Sequence, residues 1–138
     1  MNTLNEILKK YWGFSKFRPQ QEEIISAVLE QNDVITLLPT GGGKSICFQV
    51  PALINEGICL VISPLIALMK DQVENLERKG IKALSIPSGI KQNELITLFD
   101  NIKFGNYKFL YISPERLQSY FILQKIKELN INLIAVDE

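Results

Sequence analysis

A chain of 138 residues is long enough for one domain with a proper core, and 46% hydrophobic with 22% charged residues is an ordinary globular balance. Lys+Arg and Asp+Glu number 15 each, so the formal net charge is zero, which argues against a strongly basic nucleic-acid binder and leaves only a local basic face. With no histidine and two isolated cysteines, Cys47 and Cys59, zinc sites and most triad chemistry are excluded, and free thiols in a reducing cytoplasm are expected.

Residues Met1 to Tyr11 are amphipathic and lack the apolar core of a signal peptide, and no apolar run approaches membrane-spanning length. Thr3-Leu4-Asn5-Glu6 has capping-box spacing and opens a helix with Leu4, Ile7 and Leu8 on one face, ending near Trp12-Gly13. Pro19 suits the first turn of a second helix, which Glu22 and Glu23 complement electrostatically and which turns Ile24, Ile25, Val28 and Leu29 inward. Asn32-Asp33 turns the chain into an apolar run, Val34–Leu38, predicted as a short buried strand. Three consecutive glycines follow, then Lys44, Ser45 and a helix carrying Ile46, Cys47, Phe48 and Val50, which Pro51 is expected to bend or shorten.

Beyond Gly57, Ile58–Ile62 is an unalternating apolar run, as expected of a strand with both faces covered. Ser63-Pro64 reads as an N-cap and first-turn pair opening a helix to about Arg78, which Gly80 ends. Lys82–Ile86 is a short third strand, Pro87-Ser88-Gly89 a loop, and Gln92 to Lys103 a helix with Leu95, Leu98, Phe99 and Ile102 inward. Lys108–Ile112 is a strand, Ser113-Pro114 repeats the cap pair before a helix to about Leu129, and Asn132–Val136 is the last strand. Strands alternating with helices imply an α/β fold: a three-layer parallel sheet with helices on both faces. Ligands in such folds sit at the carboxyl ends of the strands, which are followed here by Pro39–Ser45, Ser63-Pro64, Pro87–Gly89, Ser113-Pro114 and Asp137-Glu138.

Strand, glycine turn, Lys-Ser and helix make a recipe for a phosphate cradle. Thr40, Gly41, Gly42 and Gly43 would let backbone N–H groups converge on an anion, Lys44 would reach the β- and γ-phosphates, and the Ser45 hydroxyl would serve Mg²⁺. The first glycine of the strict pattern is missing, because Leu38 stands there. Asp137 at a strand end can hold Mg²⁺ and Glu138 can orient and deprotonate a water. In Trp12–Gln21, an aromatic can stack on a purine, a Gln can read adenine's donor and acceptor edges together, and Arg18 can stack or reach a phosphate. Trp12 and Phe17 are expected instead to anchor the helical hairpin on the core.

Taken together, these residues resemble the first motor lobe of a superfamily 2 DNA helicase of the RecQ type. The Trp12-Gly-Phe…Phe17-Arg-Pro-x-Gln21 tract is similar to that family's adenine motif, and Leu38–Ser45 to its Walker A form, in which Leu38 is normal. Ile62–Gln72 is similar to motif Ia, Tyr111–Leu117 to motif Ib and Val136-Asp137-Glu138 to the start of its Asp-Glu-x-His box. The resemblance covers essentially the whole chain. It implies a RecA-like P-loop NTPase lobe over 1–138, with a helical hairpin at about 1–32 and the core at about 33–138.

The implied activity is that of an ATP- and Mg²⁺-dependent 3′–5′ helicase acting in recombination and repair, in the cytoplasm at the bacterial nucleoid. Its implied partners are single-stranded and partly duplex DNA, with no membrane. The resemblance assigns adenine to Phe14 (often tyrosine in relatives), Arg18 and Gln21. It assigns the phosphates to Lys44 and the glycine backbone, Mg²⁺ to Ser45 and Asp137, and the lytic water to Glu138. The DNA track falls to Ser63, Pro64, Lys70, Gln72, Ser88, Ser113, Pro114 and Arg116. A second lobe and the arginine it contributes in such motors, worth roughly 10³–10⁵ in rate, are not in these residues, so the lobe alone is expected not to unwind DNA. The alternatives are a P-loop NTPase or kinase of another class, for which the adenine tract has no use, or a nucleotide-binding module without catalysis.

Overall fold

The computed structural model describes residues 2–38 and 43–137 and divides into two compact units, 1–56 and 57–138. The first unit holds three helices: α1 (Asn2–Trp12), α2 (Pro19–Leu29) and α3 (Lys44–Ile54). The α3 helix packs against both α1 and α2. Their shared core is Leu4, Leu8, Phe17, Ile25, Ile46 and Val50, with Trp12 packed against it. At about 1.5–3 kcal/mol per buried large apolar side chain, this cluster is what holds three short helices together. Phe17 and Trp12 are thus hairpin anchors.

Pro51 lies inside α3, which runs on to Ile54. One expectation in this unit is corrected. The run Val34–Leu38 forms no strand: it has no ladder partner among the described residues, and Ile35 and Leu37 stand almost fully in solvent. Apolar β-branched residues favour extended backbone, but a strand exists only where neighbouring N–H and C=O groups complete its ladder.

The second unit is a parallel sheet with helices on both faces. It runs β1 (Ile58–Ile62), α4 (Ile66–Arg78), β2 (Ala83–Ser85), α5 (Gln92–Phe104), β3 (Phe109–Ile112), a short 3-10 helix (Pro114–Gln118), α6 (Tyr120–Lys127) and β4 (Ile131–Val136). The strand order is β2-β3-β1-β4, all parallel, with Cys59 opposite Phe109 and Leu133, and Ile62 opposite Ile112 and Val136. All four residues of β3 are buried, as a strand covered on both faces requires. Leu60, Leu110 and Ile112 meet Leu95, Phe99 and Ile102 of α5 and Ile122 of α6 on one face. On the other, α4 packs against β2 and β3. Gly80, with φ +82°, donates its N–H to the Glu77 carbonyl at 2.9 Å and closes α4 in a conformation that costs glycine little. Among the described residues no helix is long and apolar enough to cross a membrane.

Two helix starts differ from expectation. After β1 the helix begins at Ile66, because buried Ser63 folds its hydroxyl forward to accept the Leu65 N–H at 3.2 Å and the chain bends through Pro64 first. After β3, Pro114 opens a 3-10 turn that stops at Gln118; Ser119 then caps α6, accepting the Ile122 N–H at 3.3 Å. A second Ser cap thus splits what periodicity reads as one helix.

Cys47 and Cys59 are both free and buried. Burial pushes the Cys59 thiol up to about 12, only slightly offset by Lys108. The folded chain therefore keeps a proton that the unfolded chain releases at roughly pH 8.5. The stability this thiol contributes is fully present below that pH and is lost as pH rises toward 12. Urea titrations should show the stability gap between the parent and Cys59→Ala narrowing above pH 8.5; a gap independent of pH would refute the assignment.

Candidate functional site

In the first unit the tract that ends at Gln21 is tied to Gly43, the residue before α3. Arg18 has extended backbone (φ −69°, ψ 150°) and Pro19 takes the first helical position of α2. Gln21 then points inward and is 3% exposed. Its Oε1 accepts the Arg18 N–H at 2.9 Å, and its Nε2 donates to the Gly43 carbonyl at 3.1 Å, 22 residues away in sequence. Gly43 is left-handed (φ 76°, ψ 34°) and leads directly into α3. A Cβ on Gly43 would collide with the Gln21 amide nitrogen, so glycine is needed here for both backbone and space. Lys44 and Ser45 are the first two residues of α3, both partly exposed, where the helix N-terminus favours anions. Phe14 is 55% exposed, and such a ring can receive a stacked base. Thr40, Gly41 and Gly42 lie outside the described residues.

In the second unit the register carries the motif ends to one edge. Ser63, Ser113 and Asp137 each directly follow a paired strand (β1, β3 and β4) at its carboxyl end. The Ser63 N–H donates to the Ile112 carbonyl at 3.1 Å and the Asp137 N–H to the Ile62 carbonyl at 2.9 Å, so this edge is pinned one residue beyond the ladder. Pro64, Lys70 and Ser88 are exposed, while Ser113 and Arg116 are partly exposed. Pro114 is exposed at the start of the 3-10 helix. Arg116 Nη2 donates to the Pro87 carbonyl at 2.6 Å, joining the segment after β3 to the loop after β2 that carries Ser88. Gln72, on α4, spends its side chain internally: Oε1 accepts from the Tyr111 hydroxyl at 2.7 Å and Nε2 donates to Asp137 Oδ2 at 3.4 Å. Glu138 lies outside the described residues.

Sequence reasoning left Tyr111 without a role. The signal was there: a phenol inside an apolar strand must find its hydroxyl a partner, and at 1% exposure that partner is protein. Each unit by itself carries donors of the kind a nucleotide and a divalent cation use: in the first, a lysine and a hydroxyl at a helix start; in the second, a hard carboxylate oxygen at a strand end.

Comparisons with known proteins identify the family. The family model described as "DEAD/DEAH box helicase" matches residues 18–138. All of the chain aligns, at 42% identity, with 28% of the "Probable ATP-dependent DNA helicase RecS" of Bacillus subtilis. It aligns equally fully, at 44%, with 24% of that organism's "ATP-dependent DNA helicase RecQ". For the RecQ helicase of Haemophilus influenzae the identity is 40%, over 99% of the chain and 22% of the relative. The chain thus spans about a quarter of the length of these relatives. The chain therefore belongs to the DEAD/DEAH box helicase family and is similar over its whole length to the RecQ-type helicases.

Proposed function

We propose that these residues are the ATP-binding part of the motor of an ATP-dependent 3′–5′ DNA helicase that acts on single-stranded and partly duplex DNA. In a bacterial cell it would work in the cytoplasm at the nucleoid, in recombination and repair. The observation that carries this reading is the common edge of the second unit. Three strands end there, and the residues that follow them are the ones the family uses for DNA and for the metal. Lys44 and the backbone of Thr40, Gly41, Gly42 and Gly43 hold phosphates, while Phe14, Arg18 and Gln21 hold adenine. Ser45 offers Mg²⁺ a hydroxyl and Asp137 a carboxylate; Mg²⁺, when bound, neutralises charge on the β- and γ-oxygens. Glu138 orients the attacking water and takes its proton. Pro64, Lys70, Ser88, Ser113, Pro114 and Arg116 follow the DNA strand, and Ser63 and Gln72, whose side chains are engaged internally, shape the segments that carry them. Backbone N–H groups at helix starts and the charges of Lys70 and Arg116 suit its phosphates without selecting a sequence.

The test is hydrolysis by protein of the full length of these relatives. ATP turnover should rise on adding single-stranded DNA, and Glu138→Gln should abolish turnover while ATP still binds. Turnover that ignores both DNA and Glu138→Gln would refute the reading. For the 138-residue chain, whose net charge is zero, labelled-oligonucleotide anisotropy should detect only weak binding that fades as salt is raised.

A further inference from the structure

The amide of Gln72 lies in a chain of hydrogen bonds that joins three elements of the second unit. It begins at the Tyr111 hydroxyl on β3, passes through Gln72 on α4 and ends on the carboxylate that follows β4. Tyr111 is 1% exposed, so its hydroxyl must be paired inside the protein, and Gln72 Oε1 is that partner at 2.7 Å. An amide whose oxygen is fixed has its nitrogen fixed too, because the group is planar. That nitrogen donates to Asp137 Oδ2. The Asp137 backbone is already held by its N–H bond to the Ile62 carbonyl, so the freedom left to the residue is rotation of its side chain. Gln72 restricts that rotation. One donated proton occupies one lone pair of Oδ2 and leaves Oδ1 and the remaining lone pairs for a cation.

We propose that Gln72 is a positioning residue for the metal-binding carboxylate of Asp137, with the buried Tyr111 hydroxyl fixing Gln72 in turn. This rests on the reading of Asp137 as a Mg²⁺ ligand. Outer groups that orient a metal ligand are worth about 10–100-fold in metal affinity elsewhere. Gln72 does this work from α4, whose exposed face carries Lys70, so the same helix that faces solvent with a cation also sets the direction of the carboxylate.

The experiment titrates the 138-residue chain with ATP by calorimetry, once in excess Mg²⁺ and once in EDTA. The ratio of the two dissociation constants measures how much the metal strengthens binding. Gln72→Leu should cut that ratio about tenfold while leaving the dissociation constant in EDTA unchanged. Tyr111→Phe, which keeps the ring and its packing, should lower the ratio in the same direction by less. Asp137→Asn is the control on the underlying reading and should remove most of the ratio. If Asp137→Asn removes it while Gln72→Leu and Tyr111→Phe keep the parent value, the positioning role is overturned. Equal weakening with and without Mg²⁺ in Gln72→Leu overturns it too, since that is a structural defect. If Asp137→Asn itself keeps the ratio, the metal reading fails and the proposal fails with it. Should Gln72→Leu not fold, Tyr111→Phe decides by the same two outcomes.

Discussion

Lys44→Ala is expected to weaken Mg-ATP binding by roughly 10–100-fold and to leave adenosine binding unchanged. Lys44 stands at the first position of α3, directly after the left-handed Gly43, so its charge is presented at a helix N-terminus, where anions are favoured. A hydrogen bond to a charged group is worth about 1.5–3 kcal/mol net, and about 1.4 kcal/mol is tenfold in affinity. Adenosine has no phosphate and should not register the loss. Gln21→Ala is the complementary variant: it removes the bond to Gly43 and the amide proposed to read adenine, and should weaken both ligands. Calorimetric titration of both nucleotides against both variants checks this. Equal losses of ATP and adenosine in Lys44→Ala would refute the phosphate role.

Phe109→Ala should be the most damaging single truncation for stability, by about 3–5 kcal/mol. Phe109 is fully buried on the strand that lies between β1 and β2, opposite Cys59 and Ala83 in register, with the Tyr111 ring 6.5 Å away. Nothing on a covered sheet can collapse into the space without breaking ladder bonds. Against a typical total of about 5–15 kcal/mol, the loss should lower the thermal midpoint by on the order of 10 °C. Phe14→Ala is the counterpart. With that ring 55% exposed, the midpoint should stay within the spread of ordinary surface changes, about 0.5 kcal/mol. A scanning calorimeter distinguishes the two at once; a Phe109→Ala chain that melts like the parent would mean the sheet centre is misread.

What the sequence made legible was local. Apolar runs located β1, β3 and β4; for β1 and β3 the reason is that a strand covered on both faces carries no polar alternation, whereas β4 lies at the sheet edge and keeps Ile134 and Val136 exposed. Pro19 and Gly80 marked their helix ends, because a fixed φ and a left-handed φ are properties of single residues. Ser63 and Ser113 misled in the same local way. Each looks like a cap, yet Ser63 spends its hydroxyl on a bend and Ser113 introduces a 3-10 turn, and which of these a Ser-Pro pair adopts is set by neighbouring strands. The run at Val34–Leu38 carries the composition of a strand but not the identity of its partner, and without a partner there is no ladder. Tyr111, Gln72 and Asp137 were beyond reach for a related reason. Their bonds span 39 and 65 residues, and nothing in the spacing of a Tyr, a Gln and an Asp announces that the fold will align them.

On the proposed reading of Gln21 as an adenine contact, its double engagement has a consequence for base selection. A primary amide has two N–H donors and two acceptor lone pairs. One lone pair of Oε1 is used by the Arg18 N–H and one N–H of Nε2 by the Gly43 carbonyl. What is left is one donor and one acceptor, side by side. Adenine offers an acceptor ring nitrogen beside a donor amino group and matches that remainder with no bond broken. Guanine offers two acceptors on the corresponding edge, so one lone pair would face another. Turning the amide over would not serve guanine, since it still presents one donor and one acceptor, and it would put Oε1 against the Gly43 carbonyl and Nε2 against the Arg18 N–H. Discrimination against the wrong purine is then enforced by contacts the chain makes with itself. A Gln21→Glu chain should bind adenine more weakly, because the donor that meets the ring nitrogen is gone.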